Sequence, residues 1–424
     1  MNNSHIRITQ LRPHRLNSLN WNQALAKKML FALLTQLETG CLRIHEGEEC
    51  IEFGQHVNEA DMVADLHVHN PQLYAEVVFG GSIGAGEAYM SGYWSSPNLT
   101  NVTRLFVRNM EALDAMDSRQ SRIGKGLLKI FHWFNRNTRE GSRKNISAHY
   151  DLGNDFFRLF LDAGMMYSSA IYPTAEATLE QASVHKLAVV CEKLRLTAED
   201  HLLEIGTGWG GMAIYAARHY GCRVTTTTIS KEQHDYALMQ VKAAGLEDLI
   251  QVRFDDYRDL QGQYTKLVSI EMIEAVGHEN YAEYFAMCSR LLRDDGLMLL
   301  QAITIADQRY AQARRSVDFI QRYIFPGGSL PSITVISDLV TRATNMNILH
   351  MEDIGEHYAR TLRVGVMAFW RIWNRSGSRA LMNALSVCGN FICVTARADL
   401  WNAVSARPRF CWPNHSFGRI SSHE

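Results

Sequence analysis

The sequence lacks an excess of charge of either sign. Its 424 residues include 43 Lys and Arg against 44 Asp and Glu, so it has no general attraction for nucleic acid, and any contact with anionic lipid must be a local patch. It also lacks an apolar run of roughly 18–20 residues that could span a bilayer. The first 22 residues lack the apolar stretch of a secretory signal. We therefore expect a cytoplasmic protein that contacts membranes only peripherally.

Paired cysteine spacing is also absent. The eight cysteines contain no C-x-x-C pair, which argues against a zinc site or a disulfide framework and is typical of a reducing cytosol. We expect no bound metal. The composition, 46% hydrophobic and 21% charged, is ordinary for a folded protein. At roughly 100–200 residues per domain, the length predicts two domains.

Residues 1–115 are predicted to form a small α+β domain. Residues 23–39 have apolar side chains at helical spacing and precede Gly40, a residue type favoured at helix ends. Strand-like runs and a glycine-rich turn follow. The predicted strands are Cys41–His45, Cys50–Phe53, Asp65–His69 and Tyr74–Phe79, and Glu87–Trp94 is predicted to be a short helix.

Residues 116–146 are predicted to link this domain to the next. They are basic and polar around one amphipathic segment, Leu127–Phe134. One interpretation is a linker helix that packs on a neighbouring domain. The other is a helix that lies in a membrane interface, with aromatic side chains at the headgroup boundary and basic side chains facing phosphates. The basic residues are Lys125, Lys129, Arg136, Arg139, Arg143 and Lys144.

Residues 147–364 are predicted to form the core domain, in which strands and helices alternate from residue 200 onward. This alternation predicts a parallel, doubly wound α/β sheet that binds its ligand at the carboxyl ends of the strands. The predicted strands are 201–205, 222–229, 249–254, 266–270 and 297–303, and the predicted helices are 210–220, 231–244 and 280–293.

A glycine-rich loop, residues 204–211 (EIGTGWGG), follows the first of these strands. Gly206 and Gly208 permit positive φ and let the backbone approach a ligand. The helix beyond them offers free N–H groups. The G-x-G-x-G-G spacing differs from the G-x-G-x-x-G of dinucleotide binders. It favours a ligand without a pyrophosphate, such as S-adenosylmethionine.

Polar residues also end the next two strands. Thr228-Ile229-Ser230 stands where an acidic residue would bind a ribose, and Asp255-Asp256-Tyr257 ends the third strand, where it could hold an adenine ring. Each cluster taken alone is explained by a helix cap or a turn. Three clusters on successive strand ends favour a binding site.

Eight motifs resemble those of the cyclopropane-fatty-acyl-phospholipid synthases and their lipid-modifying relatives. They are HYDLGNDFF (149–157), MYSSA (166–170), LEIGTGWGG (203–211), TISKEQ (228–233), DDYRDL (255–260), EMIEAVG (271–277), RYIFPGGSLPS (322–332) and HYARTL (357–362). GAGEAYMSGYW (84–94) resembles the N-terminal domain of the same family, so the resemblance covers most of residues 30–364. It implies an α/β fold: a Rossmann-like class I methyltransferase domain with a smaller N-terminal α+β domain.

The resemblance implies S-adenosylmethionine as the donor and the double bond of a phospholipid acyl chain as the acceptor. By position, Tyr167 and Ser168 would contact the cofactor from the segment before the core. Gly206 and Gly208 would approach its amino-acid part. The residues implied around its ribose and adenine are Thr228, Gln233, Asp256 and Tyr257.

The resemblance also implies how the reaction ends. Attack of the alkene on the methyl sulfonium leaves a carbocation, and a base must then remove a proton. Removal from the transferred methyl closes a cyclopropane, and removal elsewhere gives a methylene or methyl branch. In the family a bicarbonate ion is that base. The positions that hold it read Ser169, Glu274, Gln301, Ile303 and Tyr358 in this chain.

Two of these positions depart from the family. Ser169 replaces a Cys and Gln301 replaces a His. Both still donate hydrogen bonds to an anion, which is compatible with bicarbonate, but Gln cannot titrate near neutral pH as His does. We predict an enzyme that forms cyclopropane rings on unsaturated phospholipid acyl chains at the bilayer surface. The alternatives are a methylene- or methyl-branching relative, a methyltransferase for a soluble small molecule, and a lipid-binding pseudoenzyme. The resemblance also implies a homodimer formed through the N-terminal domain.

Residues 365–424 form an atypical tail with little periodicity, and the resemblance stops at Arg363-Val364. Codons exist for Ala380–Ala403 that, read one nucleotide earlier, encode G-[SF]-DERFIRLWEFYLCYCEGGFVER, a sequence of the type that the family carries there. We therefore hypothesise that the tail is a frame-shifted translation starting near residue 364. The nucleotide sequence tests this hypothesis.

Overall fold

The computed structural model describes residues 7–9, 19–54, 62–109 and 154–376. The predicted linker with its amphipathic segment lies outside these ranges. So does the chain from residue 377 onward, which carries the segment behind the frame-shift hypothesis. The described residues form two five-stranded sheets, one on each side of the predicted linker.

The N-terminal sheet is mixed and has the order β1-β3-β2-β4-β5. Only β2 and β4 pair in parallel. Along β2 and β4 buried residues alternate with half-exposed ones, as expected when one face of a sheet packs on helices. The strands are β1 Arg7–Thr9, β2 Cys41–Glu46, β3 Glu49–Gly54, β4 Val63–Val68 and β5 Trp94–Ser95, and the helices are α1 Trp21–Leu34, α2 Gln72–Met90 and α3 Leu99–Arg108.

The predicted strand Tyr74–Phe79 is wrong, because these residues lie in α2. The Asn70 side chain accepts a hydrogen bond from the backbone N–H of Gln72 at 2.9 Å and so satisfies a free donor at the helix start. Leu73, Tyr74 and Ala75 are then buried in the domain core. The predicted helix Glu87–Trp94 is also partly wrong, since α2 ends at Met90 and Trp94 begins β5.

The second sheet is parallel throughout, in the order β10-β9-β6-β7-β8. The strands β6 to β9 match predicted ones to within two residues, whereas β10 begins five residues before the predicted strand 297–303, inside the end of the predicted helix 280–293. Leu202 belongs to one hydrophobic cluster and its neighbour Leu203 to another, because successive side chains point to opposite faces and both faces are covered. The strands are β6 His201–Ile205, β7 Arg223–Thr227, β8 Ile250–Arg253, β9 Tyr264–Ile270 and β10 Leu292–Gln301.

Nine helices accompany this sheet in the part of the chain that the structure describes. They are α4 Asn154–Phe157, α5 Leu179–Leu194, α6 Gly211–Tyr220, α7 Lys231–Ala243, α8 Tyr281–Leu291, α9 Asp307–Ala313, α10 Phe319–Tyr323, α11 Ile333–Ala343 and α12 Gly355–Ser376. Helix α12 continues past residue 364, so the beginning of the predicted tail is helical, contrary to the prediction of little periodicity. A helix that has already formed extends more readily than a new one starts. None of the helices in the described ranges is both long and apolar enough to cross a membrane.

Helix α10 belongs to the domain of the parallel sheet and packs against the N-terminal domain. Phe319 at its start is buried in the core of the N-terminal domain. At its other end, Tyr323 donates a hydrogen bond to Glu87 of α2, and the Arg322 Nη2 atom lies 3.2 Å from the same carboxylate. The N-terminal domain is therefore held against a segment that follows β10, next to the carboxyl ends of the parallel strands.

Candidate active site

The glycine loop lies where the strand order reverses, between β6 and its neighbours β7 and β9, which is where open parallel sheets bind ligands. Gly206 and Gly208 have φ of +102° and +51°. The N–H groups of Gly206 and Thr207 both donate to the Thr227 carbonyl at 3.1 Å, which fixes the loop to the end of β7. A Cβ added at Gly208 would meet no atom within 4 Å. The loop therefore borders open space at the start of α6.

Thr228 and Gln233 lie together at the start of α7, as predicted for one binding cluster. Both are buried. The Thr228 hydroxyl donates to Gln233 Oε1 at 3.1 Å and accepts from the Ser230 N–H at 3.1 Å. This cluster also forms the helix start, so the capping explanation and the binding explanation hold for the same residues.

Asp256 and Tyr257 follow β8. The buried Asp256 carboxylate accepts two hydrogen bonds from Arg258, at 2.9 Å from Nε and 2.7 Å from Nη2. The Tyr257 ring packs against Tyr284 with ring centroids 5.6 Å apart. Arg258 was not predicted as a site residue. A carboxylate held by a two-pronged guanidinium has a fixed orientation, which is useful for recognising a ligand edge.

The segment before the core, from which the resemblance implies contacts to the cofactor, lies over the start of α6. A Cβ added at Gly211 would come within 2.8 Å of the Met166 sulfur. Tyr167 packs against Phe157, with ring centroids 5.3 Å apart. The Ser168 hydroxyl accepts a hydrogen bond from Lys186 Nζ at 2.8 Å. Tyr167 and Ser168 are thus adjacent to the glycine loop.

Lys186 and Glu204 are buried ionisable residues that the sequence did not single out. Lys186 lies on α5 with no exposed surface, and burial lowers the pKa of its amine to about 8. Burial raises the pKa of the Glu204 carboxyl to about 8, although Thr226 donates to it at 2.7 Å. The one sequence signal for this pair is the position of Lys186, which stands among apolar residues on one face of α5 and therefore indicates a buried charge.

Two carboxylates, Glu271 and Glu274, lie just beyond β9. Glu271 Oε1 accepts hydrogen bonds from the Ser169 N–H at 2.7 Å and from Gln301 Nε2 at 2.8 Å, and the Tyr358 hydroxyl donates to the same carboxylate. The Ile303 N–H donates to Glu274 Oε1, while Glu274 Oε2 is buried and has no hydrogen-bond partner among the described residues. Burial raises the pKa of both carboxyls, that of Glu274 to about 8 with a further contribution from the charge of Glu271.

The five residues expected to hold bicarbonate converge here, and four of them donate hydrogen bonds to the two carboxylates. Ser169, Gln301 and Tyr358 donate to Glu271, and Ile303 donates to Glu274. The Ser169 hydroxyl donates to the Ala170 carbonyl at 3.0 Å. Glu274 Oε2 has no partner among the described residues, and the hydroxyl of a bicarbonate ion is a donor that would satisfy it.

The residues do fit S-adenosylmethionine. The open space beside Gly208, the polar groups at the ends of β7 and β8, and the segment 167–168 surround one edge of the sheet. Gly206 would clash only with the flexible Met272 side chain if it carried a Cβ, at 3.2 Å. Met272 adjoins Glu271, so the glycine loop and the carboxylate pair border the same region. That arrangement can hold a donor and a proton acceptor close together.

Comparisons with known proteins agree with this fold. A family model described as mycolic acid cyclopropane synthetase matches residues 137–382. The chain is 37% identical to a tuberculostearic acid methyltransferase of Mycobacterium tuberculosis, over 70% of this chain and 71% of that protein. It is 36% identical to the cyclopropane-fatty-acyl-phospholipid synthase of Escherichia coli, over 73% of this chain and 78% of that protein.

A solved structure is similar as well. The crystal structure of a mycolic acid cyclopropane synthase complexed with SAH and CTAB matches with a TM-score of 0.56 and 30% sequence identity. The match covers 61% of this chain and 93% of the other. The predicted Rossmann-like methyltransferase fold is therefore confirmed. The family match also extends past residue 364, where the motif resemblance ends.

Proposed function

Because the chain belongs to the mycolic acid cyclopropane synthetase family, we propose that it transfers one carbon from S-adenosylmethionine to the double bond of an unsaturated phospholipid acyl chain and closes a cyclopropane ring. Family membership makes it an S-adenosylmethionine-dependent methyltransferase. The observation that carries the proposal is the meeting of the open glycine loop and the Glu271–Glu274 pair at one edge of the sheet.

Each group around the proposed site has a role that its geometry supports. Gly206 and Gly208 let the backbone approach the amino-acid part of the donor. Thr228, Gln233, Asp256 and Tyr257 would surround its ribose and adenine, and Tyr167 and Ser168 would cover it from the preceding segment. When bound, S-adenosylmethionine supplies an electrophilic methyl group, so the protein mainly has to orient the acceptor and remove a proton.

We further propose that the protein acts at the surface of a bilayer, because the proposed acceptor is the acyl chain of a membrane phospholipid. An apolar chain must leave the bilayer or be reached at its edge before its double bond meets the donor. Peripheral contact is enough for that, and it depends on buried apolar area and local basic charge.

The test uses the full chain, S-adenosylmethionine deuterated on the methyl group, and vesicles of phospholipid with monounsaturated chains. We expect acyl chains that gain a carbon with two deuterium atoms, lose their double bond and resist ozone, as a cyclopropane does. Vesicles of saturated phospholipid are the control and should gain no label. A labelled product that ozone cleaves would indicate a methylene branch, and label in neither lipid would contradict the proposal.

A further inference from the structure

The buried ammonium of Lys186 lies behind the segment that borders the glycine loop. Lys186 stands among buried apolar residues of α5 and has no exposed surface. A buried charge costs free energy unless its surroundings compensate for it. The Nζ atom donates a hydrogen bond to the Ser168 hydroxyl at 2.8 Å. The fold therefore directs this charge toward Ser168, a residue at the edge of the proposed donor site.

Three carboxyls surround the Lys186 ammonium and compensate for its burial. The negative charges of Glu271, Asp162 and Glu204 attract it and favour its protonated form. Each of these carboxyls accepts a hydrogen bond from another group, at 2.9 Å for Asp162 and at 2.7 Å for the other two. The acidic groups thus keep the amine charged, while its hydrogen bond goes to a neutral hydroxyl.

The hydrogen bond from Lys186 determines what the Ser168 hydroxyl can do for a ligand. An ammonium has three donors and no acceptor, so the Ser168 oxygen must accept in this bond. The hydroxyl hydrogen then points to a different acceptor. Within the described chain, the bond from Lys186 is the hydrogen bond that the structure gives this buried hydroxyl. Ser168 therefore presents a donor to a ligand in the neighbouring space.

S-adenosylmethionine has three charged groups, and only one of them suits this donor. Its ammonium and its sulfonium are cations, whereas its carboxylate is an anion with two acceptor oxygens. The positive charge of Lys186, one hydrogen bond further away, repels the cations and attracts the anion. The amino-acid part of the donor is proposed to lie beside Gly206 and Gly208, next to Ser168. Its carboxylate is thus the group that both the hydroxyl and the charge favour.

We propose that Lys186 is a positioning residue for the donor: through Ser168 it orients a hydroxyl that donates to the carboxylate of S-adenosylmethionine. This inference rests on the proposed function, in which S-adenosylmethionine is the donor. A hydrogen bond to a carboxylate is stronger than one between neutral groups, and a fixed hydroxyl loses no freedom when the ligand binds. The arrangement therefore fixes one end of the donor and so helps to place its methyl group.

The test compares two ligands that differ only in the carboxylate. They are S-adenosylhomocysteine and its decarboxylated form, S-adenosyl-3-thiopropylamine, which keeps the adenosyl group, the thioether and the amine. Calorimetry measures the affinity of the full chain for both. We expect the wild type to bind S-adenosylhomocysteine at least about tenfold more tightly. Equal affinity for the two ligands overturns the inference alone, whereas a folded wild type that binds neither ligand contradicts the proposed function as well.

Two single variants locate the preference for the carboxylate. Ser168→Ala changes no charge and should fold. We expect it to lose at least about tenfold in affinity for S-adenosylhomocysteine and less than about threefold for the decarboxylated ligand. Lys186→Met removes the ammonium from a side chain of similar length and should show the same difference between ligands. A general disturbance of the fold lowers both affinities alike, so equal losses for the two ligands in Ser168→Ala overturn the inference.

The double variant tests whether Lys186 acts through Ser168. Because the two residues act as one unit, we expect Ser168→Ala with Lys186→Met to bind S-adenosylhomocysteine no more than about threefold more weakly than the weaker single variant. Lys193→Met is the matched control, since it removes the same charge from an exposed position of α5 that pairs with Glu352, and it should bind both ligands like the wild type. Losses that multiply in the double variant, or a folded Lys186→Met protein with wild-type affinity for S-adenosylhomocysteine, would refute the role of Lys186.

Discussion

Lys186 and Glu204 place two ionisable groups in the interior beneath the glycine loop. Each carries a pKa of about 8, because burial disfavours the charged form of both. Their charges attract each other and that of Glu271 attracts Lys186. Such a cluster keeps an amine close to Ser168 at the edge of the site, at the cost of making core stability depend on pH.

Glu204→Gln should change that dependence. The folded carboxyl keeps its proton up to about pH 8, whereas an unfolded one loses it near its ordinary value of 4.5, so the contribution of Glu204 to stability falls as pH rises between these values. The amide has no such loss. We expect the stability of the variant relative to wild type to rise on the order of 2 kcal/mol between pH 5.5 and 8.

Urea denaturation at the two pH values measures this difference. Glu199→Gln, at an exposed position just before β6, is the control and should show no change in its stability relative to wild type. A Glu204→Gln variant whose relative stability is the same at both pH values would show that Glu204 is ionised in the folded protein throughout that range.

At the scale of elements, the parallel strands were predictable and the helix α2 was not. β-Branched runs such as residues 222–229 alternate with helical segments. In this domain the local preference of each segment agrees with the place that the fold gives it. The run Tyr74–Phe79 has strand-like residues, but burial against α1 in the core of the N-terminal domain selects a helix. Tertiary packing overrides local propensity there.

The candidate site also contains residues that the sequence predicts and residues that it does not. The glycine loop and the residues ending β7 and β8 were predicted because they are local in sequence. The hydrogen bonds that hold Glu271 were not, because the one from Ser169 joins residues 102 positions apart and no local pattern records such a contact. Arg258 was also missed, since a basic residue in a polar turn has many ordinary explanations.

The bend of α2 gives a prediction for this element. Gly81 has φ of +57° and interrupts the helix, and beyond it a Cβ at Gly84 would lie 1.9 Å from the Glu76 carbonyl oxygen. Gly84→Ala must therefore push the two halves of α2 apart, and we expect the N-terminal domain to lose roughly 1–3 kcal/mol of unfolding free energy.

Thermal unfolding of Gly84→Ala and of a matched variant checks the predicted loss of stability. Gly80→Ala, where a Cβ would meet nothing within 4 Å, should leave the melting temperature unchanged or raise it slightly, because alanine favours the helix. Equal melting temperatures for Gly84→Ala and wild type would mean that the close approach of the two halves of α2 is not needed for the packing of this domain.

At the scale of the whole molecule, one edge of the parallel sheet collects groups from most of the described core. The segment before the core, the ends of β6 to β10 and helix α12 all contribute polar atoms there. Helix α10 ties the N-terminal domain to the chain that follows β10. The central claim is that this edge, through the glycine loop, holds S-adenosylmethionine.

Calorimetric titration with S-adenosylhomocysteine tests that claim most directly, on the wild type and on two matched variants. Gly208→Ala places a methyl group in the open space beside the loop, and Gly245→Ala places one at a similar positive φ, +65° against +51°, in a remote turn with nothing within 4 Å. Both should lose about 1 kcal/mol of stability. We expect the wild type and Gly245→Ala to bind alike and Gly208→Ala to bind at least about tenfold more weakly, a loss near 1.4 kcal/mol. A folded wild type that does not bind, or equal affinity in all three proteins, would contradict the account.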